Sequence, residues 1–266
     1  MQLKVPSDRE PGSSPRVVLL TAGGPMAAAV ANALSRQFPG LIVLQEDPEP
    51  KWGIVRRRAR RLGWCWALGQ AACAVYLMLT ARRSRQRIGA IITGYGLDPN
   101  LRSSIQVRHI GSVNMKQCRD ALRLLNPDVV AVYGTRIIRR ETLRSIPAPF
   151  INYHAGINPK YRGQHPGYWA LVNADPDHAG VTIHLVDEGV DTGDVLYQER
   201  VPFTQDDNIR TYQWLQMAYA MPLFIRAIQD TVAGRLAPKH AHLPSRQWFP
   251  PTVWAYAWNG LTRGVW

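Results

Sequence analysis

Two polar side chains end a short apolar run near the middle of the chain. The run Phe150-Ile151-Asn152-Tyr153-His154 has the length and composition of a buried strand. Because alternate residues of a strand share a face, Asn152 and His154 are expected to point the same way. An asparagine amide donates hydrogen bonds, and a histidine gains or loses a proton near neutral pH. The pair suits a reaction that builds charge on an oxygen and removes a proton, although an isolated N-x-H is more often structural.

Two glycine-containing loops follow this strand. The first, 155–163, reads A-G-I-N-P-K-Y-R-G and leads into a predicted helix over 168–173. The second, 186–194, reads V-D-E-G-V-D-T-G-D and separates two further predicted strands. Taken alone, the second loop is compatible with a simple turn, and it lacks the EF-hand spacing of a calcium site. The histidines likewise lack H-E-x-x-H spacing, so no metal is expected.

The elements that must position these side chains alternate between strands and helices. Strands lacking polar alternation indicate a mainly parallel sheet covered on both faces. The predicted fold is α/β, with a doubly wound, mostly parallel, Rossmann-like sheet that binds ligands beyond the carboxyl ends of its strands. The predicted strands are 16–21, 41–44, 87–93, 128–133, 150–154, 180–186 and 195–201. The predicted helices are 26–37, 115–125 with Asn114 as N-cap, and 208–234 with a bend at Pro222.

Composition limits the kinds of partner. The 266 residues are 46% hydrophobic, enough for one large domain with a substantial core. A net charge of +13 favours anionic partners, namely phosphorylated substrates, nucleic acid or an anionic membrane. The cysteines Cys65, Cys73 and Cys118 form no C-x-x-C pair and are expected to be free thiols. The lead 1–15 has no apolar signal core and is expected to be flexible.

An arginine-rich insertion over 51–87 contains a stretch, Leu62 to Ala81, of 20 residues without a charge. Its length matches a membrane span. A single crossing would, however, separate strands that belong to one sheet, and arginines at both ends give no topological bias. A buried or groove-forming helix is the preferred interpretation, and a helix lying in the membrane interface is the alternative.

The tail Pro244–Trp266 is rich in tryptophan and contains no acid. Tryptophan favours sites with one apolar and one wet side. Packing over the domain is therefore the preferred interpretation, while a subunit interface and a membrane-surface anchor stay open.

Two linked motifs carry a resemblance to a known family. I-N-Y-H-A-G-I-N-P-K-Y-R-G-Q-H-P, at 151–166, is followed by G-V-T-I-H-L-V-D-E-G-V-D-T-G-D-V-L, at 180–196. Together they resemble the folate-dependent formyltransferases, closest in layout to sugar N-formyltransferases. The resemblance is tight over 126–201, loose over 16–93 and absent from the tail.

The resemblance implies a 10-formyltetrahydrofolate donor, a primary amine acceptor and no metal. It maps the family's catalytic residues onto Asn152, His154 and Asp191. Asn152 and protonated His154 would donate hydrogen bonds to the formyl oxygen. Asp191 would orient the imidazole, raise its pKa and relay a proton through water.

The resemblance also implies binding residues. Backbone groups of two segments would hold the folate: Arg136, Ile137 and Ile138, and Val186, Asp187, Glu188, Gly189 and Val190. Weaker candidates for the acceptor are Gly23 and Gly24 at a helix N-terminus, Lys160, Arg162 and His165.

Departures from the family narrow the acceptor. Translation-initiator formyltransferases carry a C-terminal barrel, for which the residues after Gly234 are too few, and the purine enzyme has G-x-G-S-N where this chain has T-A-G-G-P. The expected acceptor is an amino sugar carried on a nucleotide or a lipid, with no nucleic-acid partner. The alternatives are a glycinamide-ribonucleotide-type or methionyl-tRNA-type enzyme, or a non-catalytic folate-binding or membrane-associated scaffold.

The expected organisation is a catalytic domain over 16–207, including the insertion, and a closing helix with an aromatic extension over 208–266. The expected location is the cytoplasm. Contact with the inner membrane surface and a homodimer both stay open.

Overall fold

A seven-stranded sheet organises the chain in the computed structural model, which describes residues 14–266. Most of the predicted flexible lead therefore lies outside the described residues. The strands are β1 (Val17–Thr21), β2 (Ile42–Glu46), β3 (Gln106–Ile110), β4 (Val129–Tyr133), β5 (Phe150–His154), β6 (Arg162–Gly163), β7 (Gly180–Leu185), β8 (Val195–Arg200) and β9 (Gln247–Trp248). The helices are α1 (Pro25–Gln37), α2 (Lys51–Leu62), α3 (Trp64–Leu79), α4 (Arg85–Gly94), α5 (Lys116–Leu125), α6 (Arg140–Leu143), α7 (Pro166–Val172), α8 (Ile209–Val232) and α9 (Val253–Arg263).

The predicted fold class is confirmed. The large sheet has the order β3-β2-β1-β4-β5-β7-β8, and β6 pairs with β9 in a separate two-stranded ladder. Neighbouring strands from β3 to β5 are parallel, whereas β7 runs antiparallel to β5 and to β8. Helices α1 and α8 contribute the buried side chains on one face, and α5 contributes those on the other. Helix α8 thus belongs to the core, and Pro222 lies inside it.

One predicted strand is wrong. Residues 87–93 belong to helix α4, because Ile88, Ile91 and Ile92 recur at helical spacing and turn toward the core. The third strand is β3, a polar edge strand whose sequence, Q-V-R-H-I, gives little hydrophobic signal.

The predicted N-cap of helix α5 is also wrong. Met115 occupies the cap position, and its side chain makes no capping bond. The Asn114 side chain instead bridges to the segment after β4. Its amide donates to the Ile137 carbonyl at 2.9 Å, and its oxygen accepts from the Arg139 amide at 2.8 Å. Tertiary hydrogen bonds therefore override the local capping preference of asparagine.

The insertion forms helices rather than a single long segment. Gly63, with φ of 89°, separates α2 from α3, so the apolar helix is shorter than the predicted 62–81. Within residues 14–266, no single helix has the length and apolar character needed to cross a membrane. The pair 64–79 and 81–94, bent by 60°, would meet the length and composition requirement together.

The aromatic tail packs partly over the domain. Trp248 stacks on Trp169 with ring centroids 4.9 Å apart, and the Trp169 indole donates to the Phe249 carbonyl at 2.8 Å. The Trp254 ring lies against Gly69 of α3, where an added Cβ would come within 2.2 Å of it. The tail therefore joins the insertion to the region after β5.

The insertion is anchored to α8 through the buried carboxylate of Asp207. It accepts from the Arg87 guanidinium at 2.9 and 3.1 Å, from the Thr204 amide at 2.9 Å and from the Thr211 hydroxyl at 3.1 Å. Asp207→Ala is expected to lower the free energy of unfolding by about 2–4 kcal/mol, because the ion pair and hydrogen bonds of a buried carboxylate are lost and the buried Thr211 hydroxyl loses its acceptor. Chemical denaturation tests this, with the exposed neighbour Asp206→Ala as the control that should change little.

Candidate active site

The candidate site begins where β5 lies beside β7. In this antiparallel pair Asn152 is opposite His184, and His154 is opposite Thr182. Ile151 and Tyr153, which alternate with these polar residues along β5, point to the opposite face and join the core. The two-residue strand period therefore gathers the polar side chains on one face, at the carboxyl end of β5.

Asp191 reaches this face from the loop between β7 and β8. The loop turns sharply: Asp191 adopts a left-handed conformation with φ of 52°. A Cβ on Gly193 would lie 1.8 Å from the Leu185 carbonyl, so only glycine fits that position. The Gly163 amide donates to the Asp191 carboxylate at 3.0 Å and fixes it from the other side. A strained residue held this firmly is typical of a functional position.

His154 is buried between two acceptors. Its Nε2 lies 2.8 Å from the Tyr161 carbonyl, and its Nδ1 lies 3.4 Å from Asp191 Oδ2. Burial lowers the pKa of His154 below its ordinary value, although Asp191 and the Tyr161 carbonyl act in the opposite direction. The neutral ring is then best arranged with Nε2–H donating to Tyr161, which leaves the Nδ1 lone pair facing Asp191.

His184 orients Asn152. The His184 Nδ1 lies 2.8 Å from the Leu185 carbonyl, which makes Nδ1–H the donor and leaves Nε2 as an acceptor. The Asn152 amide nitrogen lies 3.0 Å from that Nε2, and Asp191 Oδ1 lies 3.6 Å from it. One amide N–H of Asn152 is thereby committed, and the second is available to a ligand.

These four residues, Asn152, His154, His184 and Asp191, form one acid–base cluster. Burial favours the neutral carboxyl of Asp191. The neighbouring His154 and His184 rings and the hydrogen bond from the Gly163 amide outweigh it, so the pKa of Asp191 falls well below its usual range. The cluster therefore pairs an ionised carboxylate with a neutral imidazole, an arrangement able to take up one proton between them.

A cavity of about 1000 Å³ opens over the cluster. Its floor comes from β4, β5, β7 and the loops that follow them, and its walls come from α2, α3 and the segment 247–251. Ligand pockets of drug-sized molecules have volumes of roughly 300–1,000 Å³. The cavity thus has room for an extended ligand with a second molecule beside it.

The residues predicted to bind folate mostly surround one end of this cavity. Its lining includes Arg136, Ile137, Ile138, Val186, Asp187, Gly189 and Val190. Glu188 instead turns outward to Arg140, at 3.1 Å. The Arg136 amide and guanidinium are occupied by Glu46, at 2.7 and 3.1 Å, so Arg136 braces this end of the cavity.

The residues predicted to bind the acceptor are more scattered. His165 lines the cavity. Gly23 and Gly24 lie beside it, between the lining residues Ala22 and Met26.

The two predicted basic candidates have protein partners. Lys160 pairs with Asp175 at 2.6 Å. Arg162 donates to the Val190 carbonyl at 2.7 Å and to Ser245 at 2.9 Å, which ties the Asp191 loop to the tail.

Two groups of lining residues escaped sequence reasoning. His184 could have been found, since it shares a strand face with Thr182 opposite the face of Val181 and Ile183. Arg58 and Arg61 of α2, with Gln164 and Gln247, also line the cavity. No local pattern relates the insertion to the distant residues 164 and 247.

His165 provides a test of site burial through pH. Burial, with the nearby charge of Arg58, lowers the pKa of His165 to about 4. Between the ordinary value of 6.5 and about 4, the unfolded chain binds a proton that the folded chain does not, so stability falls as pH falls through this window. His165→Asn removes the titrating ring, and asparagine tolerates the left-handed φ of 53° at this position. Between pH 7 and pH 4.5 this variant should lose less stability than the unmodified protein does.

Thermal unfolding at a series of pH values measures the effect of this substitution. The exposed His240→Asn variant is the control and should track the unmodified protein. Parallel curves for His165→Asn and the unmodified protein would contradict the assignment.

Comparisons with known proteins point to one family. Residues 106–227 match the formyl transferase family. A methionyl-tRNA formyltransferase from Thermodesulfovibrio yellowstonii is 37% identical over 120 residues, which cover 44% of this chain and 38% of that protein. The chain thus matches less than half the length of this curated relative.

Solved structures share the fold over most of the chain. Glycinamide ribonucleotide transformylase 1 from Symbiobacterium toebii is 19% identical with a TM-score of 0.57, covering 91% of this chain and 97% of that one. An N-formyltransferase from Helicobacter canadensis, in complex with folinic acid and dTDP-3-aminofucose, is 15% identical with a TM-score of 0.53. That match covers 88% of this chain and 70% of the other.

Proposed function

Because residues 106–227 match the formyl transferase family, we propose that this chain transfers the formyl group of 10-formyltetrahydrofolate to a primary amine of a small molecule. The observation that carries the proposal is the acid–base cluster beneath the cavity, which combines an amide donor, an ionised carboxylate and a neutral imidazole. The reaction joins the amine nitrogen to the formyl carbon and breaks the bond from that carbon to the folate nitrogen. The proton lost by the amine ends on that nitrogen.

The donor supplies an electrophilic formyl carbon when bound. Segment 133–138 and residues Val186, Asp187, Gly189 and Val190 of the cavity lining suit the folate, since they combine apolar and polar side chains. We assign the free amide N–H of Asn152 to the formyl oxygen as negative charge develops on it. His184 holds that amide in place through its Nε2.

We assign proton removal to Asp191 and His154. The His154 Nδ1 lone pair and the Asp191 carboxylate face each other at 3.4 Å. A proton taken from the attacking amine is therefore stabilised by both groups. His154 is a less suitable donor to the formyl oxygen than the sequence alone implied, because both of its ring nitrogens face protein acceptors. The ionised Asp191 carboxylate acts to raise the pKa of His154 and so stabilises the ring once it carries the proton.

Within small-molecule amines, we propose an amino sugar carried on a phosphate or nucleotide. The similarity in fold to an N-formyltransferase in complex with dTDP-3-aminofucose supports this choice. The net charge of +13 supports it as well, because it favours an anionic acceptor. A methionyl-tRNA acceptor is the second candidate, favoured by the sequence match within the catalytic part. We place the reaction in the cytoplasm, in keeping with free thiols at Cys65, Cys73 and Cys118.

We also propose that 16–207 is the catalytic unit, that 51–87 is an insertion forming one wall of the cavity, and that 208–266 closes the domain. A screen of amine acceptors with 10-formyltetrahydrofolate, read by product mass, tests the activity. The panel contains nucleotide-linked amino sugars, glycinamide ribonucleotide and methionyl-tRNA. A formylated amino sugar is the expected product, formylated methionyl-tRNA would move the assignment to the second candidate, and no product with any amine would overturn it.

A further inference from the structure

Three arginines of α2 line the cavity, and they differ in their partners. Arg57 forms an ion pair with Glu49. Arg58 donates to the Gln164 side-chain oxygen at 2.8 Å, and Arg61 donates to the Gln247 side-chain oxygen at 3.0 Å. Among residues 14–266, the side-chain hydrogen bonds of Arg58 and Arg61 therefore go to neutral amides, and neither arginine forms an ion pair; the Arg61 guanidinium also lies 4.9 Å from the centre of the Phe249 ring.

The glutamines connect these arginines to the reaction centre. Gln164 follows Gly163, whose amide contacts Asp191, and the Gln164 amide donates to the Trp248 carbonyl at 3.0 Å. Gln247 lies on β9, paired with β6. Burial, with the neighbouring charge of Arg57, lowers the pKa of Arg58, and the more distant Glu49 carboxylate opposes this shift only in part.

We propose that Arg58 and Arg61 bind the phosphate or diphosphate of the acceptor, which rests on the proposed function and specifies its substrate class. Guanidinium groups have five donors in a planar fork that matches phosphate oxygens, and each of these arginines uses only part of that capacity on glutamine. The phosphate would lie on the insertion side of the cavity, with the amine directed toward Asp191. The arginines thus select for acceptors that carry an anion beside the reacting sugar.

Inorganic pyrophosphate is the probe for this site. It should bind the protein in calorimetry and inhibit formyl transfer competitively against the acceptor but not against the folate. Arg58→Gln and Arg61→Gln should each weaken pyrophosphate binding by about tenfold to a hundredfold, as expected for loss of a charge-assisted hydrogen bond. Arg56→Gln, on the same helix and outside the cavity lining, is the matched control.

The outcomes separate this site from the activity. Transfer to an amino sugar with equal efficiency whether or not it is phosphorylated, with no effect of Arg58→Gln, would overturn the phosphate site and leave formyl transfer standing. Pyrophosphate binding that depends on Arg58, with no transfer to any amine, would keep the anion site and remove the proposed function. Comparing a nucleotide-linked with a polyprenyl-phosphate-linked amino sugar identifies the phosphate's source.

A second, independent feature is an exposed apolar surface on α3 and α9, here termed the α3–α9 surface. On α9, Trp254, Trp258 and Leu261 recur at helical spacing with 48%, 66% and 79% of their areas exposed. On α3, the exposed apolar side chains are Trp64, Trp66, Leu68, Val75, Met78 and Leu79. The helices are in contact, through Trp254 on Gly69 and through the Tyr76 and Tyr256 rings at 5.9 Å.

The charges within the two chain segments that carry this surface have one sign. No aspartate or glutamate occurs between residues 50 and 97 or after Asp230. Arg82, Arg83 and Arg85 follow α3, and Arg263 lies at the end of α9, all exposed. Basic residues beside exposed tryptophan and leucine match an anionic lipid surface. A second copy fits less well, since pairing would bring two basic surfaces together.

We infer that the α3–α9 surface docks on an anionic membrane. Cys73, Ala74 and Leu77 of α3 also line the cavity, so one helix would contact both lipid and substrate. Docking would then place the cavity wall at the lipid headgroups. An acceptor held at the membrane could reach the site without leaving the lipid phase.

Vesicle flotation tests the docking surface. The protein should float with phosphatidylcholine vesicles containing phosphatidylglycerol, should float less at high salt, and should bind vesicles of phosphatidylcholine alone weakly. The double variant Trp258→Ala, Leu261→Ala should weaken binding on the order of tenfold or more, because both side chains would leave the apolar layer. Leu124→Ala, at an exposed leucine of α5, is the matched control.

Two results would overturn this inference. One is the absence of vesicle binding at low salt. The other is a homodimer, detected by light scattering, that the double variant converts to a monomer, which would make the surface a subunit interface.

Discussion

Asp191→Asn is expected to lower kcat for formyl transfer by about 10²- to 10⁴-fold, the range attributed to a positioned general base. The substitution keeps the size of the side chain and retains an oxygen for the Gly163 amide. It removes the charge that faces His154 Nδ1 at 3.4 Å, so a proton from the amine is no longer stabilised there. Steady-state kinetics with a saturating acceptor measure the change.

The control for this variant is Asp194→Asn, three residues further along the same loop. Asp194 is exposed, and its carboxylate lies 3.3 Å from the exposed ring of His240. The kcat of the Asp194→Asn variant should stay close to that of the unmodified protein. Equal kcat values for Asp191→Asn and Asp194→Asn would remove Asp191 from the reaction.

The second large effect on kcat concerns the negative charge that develops on the formyl oxygen. Asn152→Ala should lower kcat by about 10²- to 10³-fold, because one preorganised donor to the formyl oxygen is lost. The KM for the donor should change much less, since this hydrogen bond strengthens as charge develops on the oxygen. The pH dependence of the remaining activity should persist, because Asp191 and His154 are intact.

Thermal unfolding checks that the Asn152→Ala variant is folded. Asn173→Ala, at the exposed end of α7, serves as the matched asparagine control. A KM for the donor that rises by the same factor as kcat falls would assign Asn152 to folate binding.

Much of the fold and of the candidate site could be predicted from the sequence because the relevant patterns are local. Apolar runs predicted the central strands, and the two-residue period predicted a shared face for Asn152 and His154. The linked loop motif brought Asp191 into the prediction through resemblance, and the structure places it beside His154. The exact partners of His154 were beyond such reasoning, since the Tyr161 carbonyl depends on the path of the following loop.

Other features of the structure could not be predicted from the sequence, for physical reasons. Strand β3 is a polar edge strand, so hydrophobicity pointed to the isoleucines of α4 instead. The places of Arg58 and Arg61 depend on how the insertion folds back over β6 and β9. Their role as cavity lining arises from contacts between residues far apart in the chain, which no local pattern encodes.

The most direct test of the central claim traces the formyl group itself. Purified protein is incubated with 10-formyltetrahydrofolate carrying ¹³C in its formyl carbon and with a nucleotide-linked amino sugar, and the products are followed by NMR. The expected result is a labelled formamide on the sugar nitrogen, formed with stoichiometric release of tetrahydrofolate and abolished in Asp191→Asn. Retention of the label on the folate, or its appearance as free formate while the amine stays unmodified, would contradict it.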